Sequence, residues 1–300
     1  MLDLSIIIVN YNKAQFLKQC LESIFDNIAQ SLKFEVIVVD NNSQDSSRQI
    51  LQERFPYVKI IENSRNVGFA KANNQAMFCA QGKYLLLLNN DTFVLAGTIE
   101  KMIQFLQENL TGGAVGPALL NADGKTIQAQ GSGRGNKFWL AARPISVKFL
   151  TGAAFMIRRE VYEEVGALDE NFFFYNEDLD WCRRIIAKNW KIYYLPQAKI
   201  IHYGGQSTKL INEQALIEGF RGGLYFCYKY YRALFIIYRL ILLVFCLVQI
   251  LINILKLLIW SNKLNSFRNL KGFLAILWLD ILWKYTFNKR VAELKRGAII

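Results

Sequence analysis

"KYLLLLNNDT", Lys83 to Thr92, runs through four leucines and stops on two asparagines, an aspartate and a threonine. A continuous apolar run of this length suits a strand buried on both faces of a sheet. Three similar runs precede it: "LSIIIVN" (4–10), "FEVIVVD" (34–40) and "VKIIEN" (58–63). Between them the period changes to that of a helix. Phe16, Leu17, Cys20, Leu21, Ile24, Phe25 and Ile28 recur at i, i+3, i+4 spacing, and 45–55 and 69–81 also read as helices. Strand–helix alternation with short links predicts an α/β fold, a doubly wound, mostly parallel sheet with helices on both faces.

In such a sheet ligands sit beyond the carboxyl ends of the strands. Those ends read "NYNK" (10–13), "DNNSQDSS" (40–47), "NSRNVGFAKANN" (63–74) and "NNDT" (89–92). Any one of them alone is explained by caps and Asx-turns. Their repetition at one edge fits a hydrated, multiply hydroxylated ligand.

From about 112 to 150 the pattern loosens. "NADGK" (121–125) reads as a hairpin turn and "GSGRGNK" (131–137) as a flexible basic loop. The loop follows no convincing strand and opens no helix, so its glycines are not a dinucleotide fingerprint. "FLTGAAFMIRREVYEEVGALDE" (149–170) reads as a strand and a short acidic helix, and "NFFFYNEDLDWCRRIIAKNW" (171–190) as an aromatic loop entering a helix near Glu177. "KIYYLPQAKIIHYGG" (191–205) reads as two short strands and holds the chain's single histidine, His202.

Three hundred residues fit one large domain or a domain with an appendage. The net charge of +12 is unevenly placed: residues 1–220 hold 23 Lys/Arg against 22 Asp/Glu, and residues 221–300 hold 13 against 2. A basic segment also rich in Leu, Ile, Phe and Trp points to an anionic membrane surface and away from nucleic acid. Five cysteines, odd in number and never closely spaced, argue against a disulfide framework or a zinc site and fit a reducing compartment. The N-terminus has no basic region and too short an apolar run for a signal peptide, so a cytoplasmic protein is expected.

The segments "SIIIVNYNK", "VIVVDNNSQDSS", "NVGFAKANN", "YLLLLNNDT", "TGAAFMIRREVYEEVGALDENFFFYNEDLDWCRR" and "AKIIHYGGQST" together resemble the inverting nucleotide-sugar glycosyltransferases of family 2, of GT-A fold, and among them the rhamnosyltransferase-like members. The resemblance covers roughly residues 4–208 in the family's order. It implies a GT-A domain over 1–208 and leaves 209–300 as a helical, basic, membrane-associating tail. It implies Asp178 as catalytic base, with Asp180 as second choice. It implies a metal site, Mg²⁺ or Mn²⁺, at Asp91 and His202; where the family has a first acid this chain has Asn89, so the motif is Asn-Asn-Asp. One carboxylate and two amides hold a divalent ion weakly, and His202 makes up the difference. It further implies a nucleotide-sugar pocket built from Asn10, Tyr11, Asp40, Asn66, Gly68, Asn73 and Asn90. A helix N-terminus favours a carboxylate such as Asp178, although Glu177, Asp178 and Asp180 also suit the first turn of any amphipathic helix.

Leu240 to Leu255 is 16 residues without a charge. Arg232, Arg239, Gln249, Asn253, Lys256 and Lys263 share a sector of about 140° on a helical wheel. In a second segment, Gly272 to Phe287, Asp280, Lys284 and Asn288 form a stripe. The expectation is two amphipathic helices in the cytoplasmic face of the membrane, with a span or re-entrant hairpin as the alternative. The resemblance implies transfer of a sugar, L-rhamnose from dTDP-L-rhamnose (with a UDP-sugar also open), to a lipid-linked or cell-surface glycan acceptor. A catalytically inactive glycan-binding or scaffold relative is the alternative. The chain lacks the Gln-x-x-Arg-Trp element of processive synthases and the early Gly/Arg-rich loop of nucleotidyltransferases.

Overall fold

The computed structural model describes residues 2–130, 137–204, 212–259 and 263–281. Most of the basic glycine loop, the end of "AKIIHYGGQST", and Lys284 and Asn288 lie outside the described residues. The chain divides into two compact units, Met1–Asp169 with Asp178–Ser207, and Glu170–Glu177 with Thr208–Ile300.

The first unit begins β1 (Leu2–Asn10), α1 (Ala14–Asn27), β2 (Phe34–Asp40), α2 (Ser47–Arg54), β3 (Lys59–Glu62), α3 (Phe69–Cys79) and β4 (Gly82–Asn89). It continues β5 (Thr92–Val94), α4 (Thr98–Glu108), β6 (Gly112–Leu120), β7 (Ile145–Val147), β8 (Ala154–Arg158), α5 (Arg159–Val165), α6 (Glu177–Ala187) and β9 (Lys191–His202). The described strands form one sheet of nine in the order β3-β2-β1-β4-β8-β6-β9-β5, with β7 also on β9. β1 to β4 pair in parallel, as do β6 and β9, while β8, β5 and β7 run antiparallel to their neighbours. The sheet is thus parallel through its first half and mixed in its second.

Period-two alternation assigns the strand residues to two cores. Ile6, Ile8, Val36, Val38, Leu86 and Leu88 meet Leu17, Leu21 and Ile24 of α1, Leu51 of α2 and Met102 of α4. Ile7, Ile37, Val39, Leu85 and Leu87 meet Ala70, Ala72 and Ala76 of α3 and Trp181, Cys182 and Ile185 of α6. Every one of these leucines and isoleucines is at most 2% exposed, which is why the apolar runs have no polar side. Gly82 opens β4 where no side chain fits, since a Cβ there would lie 2.3 Å from the Ser5 nitrogen.

Two differences from the sequence reading stand out. The loosened stretch contains β6, whose nine residues are all buried. Its Gly-Pro content hides it, and the glycines are required: a Cβ on Gly113 or Gly116 would come within 2.8 Å of Trp190 or Leu150. "KIYYLPQAKIIH" is one strand, not two, with an irregularity in its pairing to β6 between Leu195 and Lys199 that accommodates Pro196.

The second unit comprises α7 (Asn212–Tyr230), α8 (Phe235–Ile259) and α9 (Lys263–Ile281), preceded in sequence by the Glu170–Glu177 segment. Leu224, Leu242, Cys246, Phe273 and Ile276 form its core.

Candidate active site

Register brings the polar strand ends into line. Asn10 stands opposite Asp40, Val9 opposite Asn89, and Asp40 opposite Glu62. Most amides on this rim satisfy one another. Asn41 Nδ2 donates to Asn66 Oδ1 (2.9 Å) and to the Gly68 carbonyl (3.3 Å), and its Oδ1 accepts from Asn63 Nδ2 and the Val67 N–H (both 3.1 Å). Asn66 also accepts from the Gly68 N–H at 3.0 Å, and Asn73 Nδ2 donates to the Phe69 carbonyl at 2.9 Å. Gly68 takes φ 91° as it turns into α3, a conformation that favours glycine. Asn90 Nδ2 donates to Asn10 Oδ1 at 2.7 Å, and Asn10 Nδ2 donates to Ser43 Oγ at 3.1 Å and Asp40 Oδ1 at 3.4 Å. Asp40 is wholly buried, its Oδ2 accepting from Arg48 Nε at 2.8 Å and the Ser43 N–H at 3.1 Å.

Of the expected nucleotide-pocket residues, Asn10, Asp40 and Asn90 are joined in one network and Asn66 and Gly68 in another, chiefly as frames that pair the loops' own polar groups, while Asn73 bonds within its own helix. Tyr11 stands half-buried beside them. Arg48 and Asn41 belong to these frames and were not singled out from sequence. An arginine eight residues past a strand-end aspartate carries no signal until the helix start folds it back.

The turn after β4 is built differently. Thr92 Oγ1 donates to the Asn89 carbonyl at 2.7 Å and lies 3.4 Å from the Cys20 sulfur. Burial pushes the Cys20 thiol up to about 12, so it stays neutral there. Thr92 pairs with His202 across the β5–β9 ladder, and the Tyr203 N–H donates to the Asp91 carbonyl at 2.9 Å. This register brings His202 Nε2 to 3.3 Å from Asp91 Oδ1 and 3.4 Å from Asn89 Nδ2. On the other side of the ring, Nδ1 lies 2.8 Å from Gln128 Oε1. With the ring proton on Nδ1, His202 donates to Gln128 Oε1 and its Nε2 lone pair is open to a cation; with the proton on Nε2, it donates to Asp91 Oδ1 instead.

In the first tautomer a carboxylate oxygen and an imidazole nitrogen, 3.3 Å apart, offer two ligands side by side. Neighbouring ligands of an octahedral cation at about 2.1–2.3 Å lie about 3 Å apart, so the pair fits a divalent ion. Among the described residues no cluster of three or more His, Cys, Asp or Glu could hold an ion by itself. An ion at Asp91 and His202 would take its remaining ligands from substrate oxygens and water.

Asp178 sits in the first turn of α6. Its Oδ2 accepts from the Gly152 N–H at 3.1 Å and its Oδ1 from the Leu179 N–H at 2.8 Å. The next residue, Ala153, accepts the Asn89 N–H at 2.9 Å. Asp178 is thereby tied to the end of the strand that delivers Asp91. Burial pushes its carboxyl above the usual carboxylate range, opposed by the two backbone N–H donors. Asp180 is different: it is wholly buried, and its Oδ2 accepts from Arg184 Nε at 2.8 Å. Arg184 in turn donates to the carbonyls of Val165 (2.9 Å) and Ala167 (2.7 Å), so this pair fastens α6 to the loop after α5.

The profile of glycosyl transferase family 2 matches residues 5–166. An N-acetylglucosaminyl-diphospho-decaprenol L-rhamnosyltransferase of Mycobacterium tuberculosis is 25% identical over 239 residues, covering 68% of this chain and 77% of its own length. The low-salt glycan biosynthesis hexosyltransferase Agl10 of Haloferax volcanii is 28% identical over 214 residues, 67% of either chain. Among solved structures, residues 1–349 of S. aureus TarS superpose with a TM-score of 0.56 at 18% identity, covering 72% of this chain and 65% of that one. A mannosyltransferase of Pyrobaculum calidifontis in complex with GDP-Man and Mn²⁺ gives 0.55 at 19%, covering 74% and 64%. The chain spans just under two thirds of these two solved structures, and at these identities the likeness is one of fold.

Proposed function

The chain belongs to glycosyl transferase family 2, the nucleotide-sugar glycosyltransferases, and has their GT-A fold; on that premise we propose that it is an inverting enzyme transferring L-rhamnose from dTDP-L-rhamnose to a lipid-linked glycan. The observation that carries the proposal is the meeting, at one sheet edge, of the Asp91–His202 pair and the Asp178 carboxylate. The relative from Mycobacterium tuberculosis, an L-rhamnosyltransferase acting on a diphospho-decaprenol substrate, supports the choice of donor and acceptor.

In this reading Asp178 removes the proton from an acceptor hydroxyl as that oxygen bonds to the anomeric carbon. The bond from that carbon to the donor diphosphate breaks on the opposite face, and the nucleoside diphosphate leaves. Burial serves the step, because a carboxylate with a raised pKa is the stronger base. Asp91 and His202 would hold a divalent cation, Mg²⁺ or Mn²⁺, whose charge would offset that of the leaving diphosphate. Gln128 fixes the His202 ring with its lone pair towards that ion. The amide frame of Asn10, Asn41, Asn66 and Asn90 holds the loops on which the nucleotide rests. Asp180 serves the scaffold.

Work at the cytoplasmic face of a membrane fits the second unit. Arg232–Leu257 is, among the described residues, the one helix long and apolar enough to cross a membrane.

A thermal-shift screen of dTDP, UDP and GDP with Mg²⁺ or Mn²⁺, followed by transfer assays with wild type and Asp178→Asn, tests the reading. Stabilisation by dTDP alone and transfer lost in Asp178→Asn are expected. Indifference to every nucleotide diphosphate would instead favour an inactive relative, and equal transfer by Asp178→Asn would remove it as base.

A further inference from the structure

The second unit carries an open, solvent-facing hollow of about 500 Å³ that the transfer chemistry does not use. Tyr175 and Asn176 form one wall, Leu216, Gly219 and Phe220 of α7 another, and Tyr238 of α8 the third. Resting on the glycosyl-transfer reading, we propose that this cavity holds the first isoprene units of a polyprenyl diphosphate-linked acceptor.

The cavity offers carbon and ring faces but few hydrogen-bonding groups. Asn176 turns its amide to the Gly219 carbonyl at 3.3 Å. The Tyr238 hydroxyl lies against α7, so close that a Cβ on Gly223 would be 2.9 Å from it. Walls made mostly of carbon and ring faces give an unsaturated, branched hydrocarbon more contact than they give a sugar or nucleotide. The Tyr175 ring is 44% exposed although its backbone holds the left-handed φ of 69°. For a non-glycine residue that conformation is strained, and strain of this kind collects at ligand sites.

The surroundings identify the occupant further. Tyr238 stands at the margin of the apolar face of α8, where Ile236, Ile237, Leu240 and Ile241 are all more than half exposed. The same end of the helix bundle carries cations held over aromatic rings: Arg239 over Phe235 at 5.8 Å, Arg232 over Tyr228 at 5.0 Å and Lys229 over Tyr225 at 5.9 Å. Arg239, next in sequence to Tyr238, and the cations of the α7–α8 turn are positive charges that complement a diphosphate joined to a hydrocarbon tail. Asn176 is two residues from Asp178, a chain distance of at most about 7 Å.

The test uses the full chain in detergent micelles with a farnesyl diphosphate derivative bearing a diazirine in its second isoprene unit. Labelling mapped to Tyr175, Phe220 or Tyr238, and not competed by excess phosphatidylglycerol, is expected. Label elsewhere, or label displaced equally by phospholipid, overturns the proposal and points to an acyl-chain groove. This readout does not depend on turnover, so it stands even where the transfer reading fails. The kinetic arm compares Gly219→Leu and Leu216→Gln. A Cβ at Gly219 meets Tyr175 at an ordinary 3.5 Å, so the longer side chain fills the cavity without breaking the fold. Each variant should raise KM for the prenyl-linked acceptor by about tenfold while KM for the sugar nucleotide changes by less than about twofold. Unchanged acceptor KM in both variants, with wild type hydrolysing donor, defeats the inference but leaves the glycosyltransferase reading intact. Absence of donor hydrolysis in wild type defeats the reading itself.

Discussion

At the scale of single residues, the histidine decides how the one-carboxylate motif works. Asp91 has a partner in His202, and His202 has its own in Gln128, 2.8 Å from Nδ1. His202→Ala and Asp91→Ala should weaken metal-dependent transfer to a similar degree. Gln128→Leu should lower apparent Mn²⁺ affinity by about 10–100-fold, the usual effect of losing the group that orients a ligand ring. Titration of activity against Mn²⁺ distinguishes these, and an unaltered Gln128→Leu curve would refute the orienting role. Asp178 gives a pH prediction. Burial raises its folded pKa, so its protonated form favours the fold. That contribution is present below the unfolded pKa and lost as pH rises through the folded value. Asp178→Asn should therefore raise Tm at neutral pH, with the gain disappearing at acid pH, while transfer falls by about 10²–10⁴-fold. Activity of wild type should rise with pH through a midpoint above that of an ordinary carboxylate. A stability difference that does not change with pH would contradict the assignment of burial as the cause. Asp91, Asp178 and His202 were open to sequence reading because each stands in a motif. Gln128 and Arg48 were not, because their roles exist only once strands 74 and 8 residues away in sequence are folded beside them.

At the scale of elements, the strands with continuous aliphatic runs were legible because both of their faces are covered. β6 was not, since the packing of Trp190 and Leu150 against it demands glycine where a strand normally shows β-branched residues. The Asn-rich strand ends answered two questions at once. The turn-making reading holds for Asn66, which accepts from the Gly68 N–H two residues on; Asn41 and Asn90 instead tie neighbouring strand ends, Asn73 bonds a carbonyl of its own helix, and Asn89 and Asp91 face His202. The segment before α6 shows how a loop is fixed by an element remote in sequence. Tyr175 and Asn176 both take left-handed φ values, 69° and 70°. A Cβ on Gly222 of α7 would lie 2.7 Å from Asn176 Nδ2 and 3.0 Å from the Tyr175 carbonyl oxygen. Gly222→Ala should overpack this contact by about 1–3 kcal/mol. Because the turn leads directly into Asp178, kcat should fall further than donor affinity. Steady-state kinetics beside nucleotide titration will separate the two, and a parallel loss of both would mean general unfolding instead.

At the scale of the whole molecule, charge and apolar surface divide between the units in a way that fits the membrane work proposed above. Residues 221–300 carry 13 basic against 2 acidic residues. α8 is inside-out for a water-soluble helix. Its buried side includes Asn253, whose Nδ2 donates to the Gln249 carbonyl at 2.7 Å. Its exposed side runs Ile236, Leu240, Val244, Leu247, Leu251, Leu255 without a charge. On a wheel of 100° per residue the exposed apolar residues cover about 180°. The polar stripe read from sequence as facing headgroups is thus partly turned into the bundle, which a pattern alone cannot reveal because either face of an amphipathic helix can be the inner one. Twenty-five residues make a helix of about 37 Å against a hydrocarbon core of about 30 Å, so either a span or a deep-lying helix is sterically allowed. Removing residues from 212 onward should release the protein from anionic vesicles into the soluble fraction. The truncated chain keeps both cores of the first unit, and its affinity for dTDP with Mn²⁺ should stay within about threefold of the full chain. Its transfer activity should nevertheless collapse, because Glu170–Glu177 clusters with the removed helices and leads into Asp178. Co-sedimentation, nucleotide titration and transfer measured on one preparation make the test, and a truncated chain that still transfers at the full rate would show that the tail anchors the enzyme without shaping its site.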